Sequence, residues 1–141
     1  MSHTPSSGPI DESVLTRSAR NALSHPLVTA TTLEPTADVP TRLRVSVDAA
    51  QYPATVETVR LDVRWFEMGD FTFHYVERHA EGTTWRCRWD RHPNPHSIRT
   101  HFHEPPGATT VRDFPIEDPH PIETLHLVLD WIEGRIERAW K

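Results

Sequence analysis

Apolar and polar residues alternate with a period of two through the central part of the chain, which sharply limits the folds available to it. The apolar positions fall in five segments: Leu43, Val45 and Val47; Leu61, Val63 and Trp65; Phe71, Phe73 and Tyr75; Trp85, Cys87 and Trp89; Ile98, Thr100 and Phe102. Such alternation is typical of β-strands with one buried and one exposed face. The links between the second, third and fourth segments have hairpin length, so we predict an antiparallel sheet of about five strands.

Helical periodicity flanks the predicted strands on both sides. Residues 11–24 carry one apolar stripe, made of Val14, Leu15, Ala19, Ala22 and Leu23. A longer stripe follows Pro121, at Ile122, Leu125, Leu129, Ile132, Ile136 and Trp140. These patterns predict two helices. Because the stripes must be buried, we predict an α+β fold with an N-terminal and a C-terminal helix packed on one face of the sheet.

The length of 141 residues suits one domain with one core. Residues 1–10 are polar and contain two prolines and a glycine, which predicts a disordered N-terminus before a single domain at residues 11–141. Residues 26–30 are expected to form a brief strand. The proline-rich residues 104–119 are expected to form a loop.

Composition narrows the classes of function. No stretch reaches the roughly 18 apolar residues that a membrane span requires, and no basic segment precedes an apolar run, so we expect a soluble cytoplasmic protein without membrane contact. The single cysteine, Cys87, excludes an intrachain disulfide. The net charge is −5, and the fifteen basic residues are all arginine except Lys141. This bias resembles the proteins of salt-loving archaea, and the base composition of the genome is the alternative cause.

Arginine occupies many polar positions of the predicted strands, on the face opposite the helices. Because guanidinium groups bind phosphate, we predict an RNA- or phosphate-binding surface formed by Arg86, Arg88, Arg91 and Arg99. The alternative is structural. Outward strand positions must be polar, and arginine can pair there with carboxylates such as Asp62 and Asp90.

Histidines on the same face suit two kinds of chemistry. His101 and His103 project from one side of a strand, about 7 Å apart at the backbone. Imidazoles beside cations suit acid–base catalysis on an anionic substrate, which predicts a cofactor-free catalytic group of His74, Asp90, His101 and His103. Alternatively the histidines bind zinc or manganese, with candidate ligands at His92, His96, His101 and His103. The other histidines are expected at the surface or in caps, namely His3, His25, His79, His120 and His126.

One short motif and the order of elements around it resemble a known family. The motif is Arg88-Trp-Asp90, followed by a short loop with proline and histidine and then by the strand His101-Phe-His103. Over residues 58–130 this arrangement is similar to the TumE family, toxins of bacterial and archaeal toxin–antitoxin pairs. The resemblance implies a helix-turn-helix DNA-binding antitoxin as partner. RNA cleavage is the usual expectation for small toxins of this kind.

Three functions compete. The leading hypothesis is a toxin-like ribonuclease that needs no metal, in which arginines hold phosphate and two of His74, His101 and His103 act as general base and acid for attack by the 2′-hydroxyl. The second is a non-catalytic binding module that docks a DNA-binding partner or nucleic acid. The third is a metal-dependent hydrolase that uses the histidine cluster.

Overall fold

The structure is a computed structural model and describes residues 8–92, 100–114 and 116–141. Its elements, in chain order, are α1 (Glu12–Ala22), β1 (Val28–Glu34), β2 (Arg42–Val47), a 3₁₀ turn (Ala49–Gln51), β3 (Val56–Trp65), β4 (Phe71–His79), β5 (Thr84–Arg91), β6 (Thr100–Glu104), β7 (Thr110–Asp113) and α2 (Pro121–Ala139). The seven strands form one sheet in the order β1 to β7, and every neighbouring pair is antiparallel. The predicted α+β class and antiparallel sheet are confirmed.

The sheet has seven strands rather than about five. Strand β1 extends to Glu34, well beyond the brief strand expected at residues 26–30. Strand β7 lies inside the segment expected to be a loop, and all four of its residues are exposed. Because neither side of β7 is buried, its sequence needs no alternation of apolar and polar residues. The periodicity that identified the central strands is therefore absent there.

Both helices pack on the same face of the sheet, as predicted. One apolar row crosses this face through paired positions on five successive strands, namely Leu43, Val63, Phe73, Trp89 and Phe102. Leu15 of α1 and Leu125, Leu129 and Ile132 of α2 are completely buried in the same core. Neither of the two helices described is long and apolar enough to cross a membrane.

Candidate functional site

The face of the sheet opposite the helices, here called the open face, carries the polar positions of the strands. Cross-strand pairing places His74 of β4 beside Arg88 of β5, and Arg88 beside His103 of β6. Asp90 and His101 form the next pair along β5 and β6. Adjacent strands lie about 4.8 Å apart, so these side chains are close neighbours. The alternation in the sequence predicted this common face correctly.

Asp90 connects the arginine and the histidine at the centre of the open face. Its side chain is only 4% exposed, and one oxygen, Oδ2, lies 2.7 Å from Nε of Arg88 and 2.9 Å from Nε2 of His103. Nε2 of His92 lies 3.5 Å from the same oxygen. Such contacts fix the orientation of an imidazole and favour a proton on the nitrogen that faces the carboxylate. They leave Nδ1 of His103 as the ring nitrogen with a lone pair.

Arg88 lies against the ring of His103 as well as beside Asp90. Its Nη2 is 3.2 Å from Nδ1 and 3.4 Å from Nε2 of His103. An atom almost equidistant from both ring nitrogens cannot lie along either lone pair, so the guanidinium packs over the face of the imidazole. This position brings a fixed positive charge close to a ring that would otherwise protonate near pH 6.5.

The two histidines that flank Arg88 are biased towards their neutral forms. Burial lowers the pKa of His103, and the charge of Arg88 lowers it further, while Asp90 opposes the change. Burial also lowers the pKa of His74, again with a contribution from Arg88. A neutral imidazole can accept a proton, so the open face contains side chains suited to general-base catalysis.

His101 has a different neighbour. Its Nε2 lies 3.6 Å from Oδ1 of Asp113, the residue with which it pairs across β6 and β7. The carboxylate therefore lies within ion-pair distance of the His101 ring. Asp113 was not among the predicted site residues, because nothing in the pattern around it indicated that β7 exists.

Most arginines of the open face have carboxylate partners, as the structural alternative expects. Arg44 and Arg60 contact the two oxygens of Asp62 at 3.0 and 3.1 Å, while Arg42 bonds to Glu34. Burial alone would raise the pKa of Asp62, but hydrogen bonds from Arg44 and Arg60 outweigh it and hold the pKa below its ordinary value. In the described part of the chain, three arginines of this face have no carboxylate partner: Arg64, Arg78 and Arg86.

Of the proposed site members that the structure describes, Arg91 is not brought to this group. Arg91 pairs with Phe71 and Thr100 across the neighbouring strands. It lies two residues after Trp89, so its side chain points to the same face as that of Trp89. It donates a hydrogen bond to Oγ1 of Thr100 at 3.3 Å. It therefore belongs to the helix side of the sheet. His96 and Arg99 lie outside the described residues.

A group of side chains that could bind a metal ion lies outside the open face. Of the described residues, His25, Asp130 and Glu133 have ligand atoms within 4.8 Å of one another, and the predicted ligands His92, His101 and His103 are not part of that group. Nδ1 of His25 accepts a hydrogen bond from the backbone N–H of Leu27 at 3.2 Å. In the neutral ring the proton then lies on Nε2, the nitrogen that faces Glu133 at 3.7 Å. This histidine acts as a local cap.

Comparison with known proteins shows which family the chain belongs to. The family described as Toxin TumE matches residues 17–136, which extends well beyond the similarity expected for residues 58–130. The match therefore includes the C-terminal half of α1, all seven strands and most of α2. No curated protein and no solved structure matches the chain significantly.

Proposed function

Because the chain belongs to the TumE toxin family, we propose that this toxin-like component of a toxin–antitoxin system acts by cleaving cytoplasmic RNA on its open face. The observation that carries the proposal is the set of contacts among Arg88, Asp90 and His103. It combines a phosphate-binding cation, a histidine biased towards its neutral form and a carboxylate that orients that histidine. These are the groups that RNA transesterification requires.

In the proposed reaction, Arg88 and Arg86 hold the scissile phosphate. Nδ1 of His103 removes the proton of the 2′-hydroxyl, and the 2′-oxygen attacks phosphorus. The bond from phosphorus to the 5′-oxygen breaks, giving a 2′,3′-cyclic phosphate and a 5′-hydroxyl end. The leaving oxygen takes a proton from a general acid, so protons and electron pairs balance without a metal or another reactant.

We assign the acid role to His101. It lies on the same side of β6 as His103, about 7 Å away along the strand, which leaves room for a phosphate between the two rings. Asp113 lies where it can balance the positive charge of a protonated His101 ring. His74, on the far side of Arg88, has a lowered pKa and a buried Nε2, so we assign it to binding rather than to proton donation.

Cleavage of a defined single-stranded RNA by purified protein tests the proposal. We expect His103→Ala and His101→Ala each to reduce the rate by about 10²–10⁴-fold, as loss of an acid or base usually does. His120→Ala is the matched control, because His120 is exposed and lies at the start of α2, away from the open face. The products should carry 2′,3′-cyclic phosphate ends.

The metal chelator EDTA separates the proposal from the metal-dependent hydrolase. Activity that survives EDTA supports acid–base catalysis, whereas loss that zinc or manganese restores supports a metal site. If the wild-type protein cleaves no RNA but binds it, and the binding needs Arg88, the binding-module function takes its place.

We also propose a helix-turn-helix DNA-binding protein as the antitoxin. Membership of a toxin family implies an antitoxin partner. The resemblance around Arg88-Trp-Asp90 implies that this antitoxin is a helix-turn-helix DNA-binding protein. Co-purification of the toxin with the product of a neighbouring gene tests the proposal. An antitoxin without DNA-binding activity would contradict it.

A further inference from the structure

A cavity on the open face lies beside the proposed catalytic group but contains none of its proton-transfer residues. Its volume is about 220 Å³, and it is lined by Arg42, Asp62, Arg64, Thr72 and His74. Asp62 pairs with His74, and Arg64 with Thr72, across β3 and β4. His74 in turn pairs with Arg88 of β5, so the cavity lies across β4 from the scissile position.

Most of the side chains that line this cavity can donate hydrogen bonds. Asp62 supplies the carboxylate, and both of its oxygens already accept hydrogen bonds from Arg44 and Arg60, so its charge is compensated. Arg64 is exposed and has no carboxylate partner in the part of the chain that the structure describes. Thr72 adds a hydroxyl group.

His74 provides a second, independent indication of a ligand. Its Nε2 is buried and has no hydrogen-bond partner in the described residues. A buried polar atom without a partner is costly unless something outside the folded chain satisfies it. The guanidinium of Arg64 and the hydroxyl of Thr72, beside the imidazole of His74, form a donor set for a tetrahedral oxyanion.

We propose that this cavity binds a second phosphate of the RNA, one nucleotide away from the scissile phosphate. The inference rests on the proposed ribonuclease function and adds the substrate class. The preferred substrate is a single-stranded polynucleotide rather than a dinucleotide with one phosphate. Arg64 and Arg88 extend from β3 and β5 and are offset by two residues along the strands, which places them about 12 Å apart at the backbone. Long side chains on strands at this spacing can contact successive phosphates.

The experiment compares three substrates: a dinucleoside monophosphate, the same molecule with an added 5′-phosphate, and the same molecule with an added 3′-phosphate. For the wild-type protein we expect one added phosphate to raise kcat/KM by about tenfold or more, the scale of a charge-assisted contact. Arg64→Ala should bring this ratio close to one. Arg78→Ala removes the same charge from an exposed position on the same face, outside the cavity, and should keep the ratio.

A binding measurement keeps the two proposals distinguishable. Titration with inorganic phosphate, followed by NMR of the histidine rings, should shift the His74 signals in the wild type and leave them unshifted in Arg64→Ala. If RNA is cleaved but neither added phosphate raises kcat/KM, the subsite is wrong and the ribonuclease stands. If phosphate shifts His74 but no RNA is cleaved, the anion cavity stands and the ribonuclease is wrong. Phosphate shifts without any gain from a terminal phosphate would mean a site for free phosphate, which also overturns the RNA subsite.

Discussion

Glu77 of β4 and Arg135 of α2 form a buried, two-bond ion pair across the core. Nε of Arg135 lies 2.7 Å from Oε2 of Glu77, and Nη2 lies 2.8 Å from Oε1. Glu77 is completely buried, and Tyr75 and His79 also bond to its carboxylate, at 2.6 and 2.9 Å. The guanidinium of Arg135 stacks 3.7 Å from the ring of Trp85. Every oxygen of this carboxylate is therefore satisfied, and His79, expected at the surface or in a cap, is one of its partners.

We expect Glu77→Gln to destabilise the protein strongly. The change keeps the shape of the side chain but leaves the guanidinium of Arg135 without a counter-ion, and breaking one side of a buried pair typically costs about 3–5 kcal/mol. Urea unfolding measures the difference. Glu104→Gln is the control, because Glu104 and Arg112 form an exposed pair at 3.8 Å and such pairs contribute about 1 kcal/mol or less. Equal losses in both variants would show that the buried pair contributes little.

The same ion pair should make the fold sensitive to acid. Burial alone would raise the pKa of Glu77, but hydrogen bonds from Arg135 and Tyr75 outweigh it, and the pKa lies below its ordinary value. Between the folded and unfolded pKa values the unfolded chain binds more protons, so stability falls as the pH decreases. The difference in unfolding free energy between wild type and Glu77→Gln should be greatest above the ordinary pKa of about 4.3 and shrink on acidification. A difference that stays constant down to the acid transition would contradict the assignment.

Helix α2 should be essential for folding. Leu129 is completely buried, and its replacement by alanine should cost about 2–5 kcal/mol. Leu127 lies on the same helix but is 40% exposed, so Leu127→Ala should cost much less. Chemical denaturation of both variants tests the comparison. A loss below about 0.5 kcal/mol for Leu129→Ala would mean that the helix is peripheral.

Asp90→Asn tests whether the carboxylate positions His103. The amide keeps the volume but removes the charge that favours a proton on Nε2 of His103, so the rate of RNA cleavage should fall by about 10²-fold or more while RNA binding persists. Single-turnover kinetics and a binding assay on the same variant separate the two effects. Loss of binding with an unchanged rate for bound RNA would assign Asp90 a different role.

The pH dependence of cleavage should identify the base. Because the pKa of His103 is lowered, the acid limb of the kcat/KM profile should have its midpoint below the ordinary histidine pKa of about 6.5. Arg88→Gln removes a charge that lowers the pKa of His103 and should move the acid limb upwards, in addition to reducing the rate. A limb that does not move would indicate that His103 is not the group being titrated.

Alternation of residues was enough to predict which side chains share a face. His74, Arg88 and His103 were assigned correctly because the side-chain period of a strand is two and each of these strands has one buried side. The same rule places Glu77 with Phe73 and Tyr75 on the helix side, and places Arg91 with Trp89. The alternation of side chains alone could therefore have predicted that Glu77 is a buried charge that needs a partner.

Contacts that depend on packing across long sequence separations could not be predicted in this way. Arg135 lies 58 residues from Glu77, and only the docking of α2 brings the two together. The burial of Asp90 beneath Arg88 and His103 depends on strand register, which periodicity alone does not determine. Strand β7, and with it the contact of Asp113 with His101, lacked any apolar pattern that could reveal it.

Each strand of the sheet after β1 pairs with the strand that precedes it in the chain. This order limits which contacts can form while the ribosome is still synthesising the protein. His74, Arg88 and His103 come from three consecutive strands, so their row can assemble as soon as β6 has emerged. Helix α2 is synthesised last, and until it docks, Trp89 and Phe102 on the other side of the sheet remain in contact with water. Because α2 completes the core, a nascent chain contains every residue of this row before it can hold them in a stable fold. In that interval it is most accessible to chaperones and proteases.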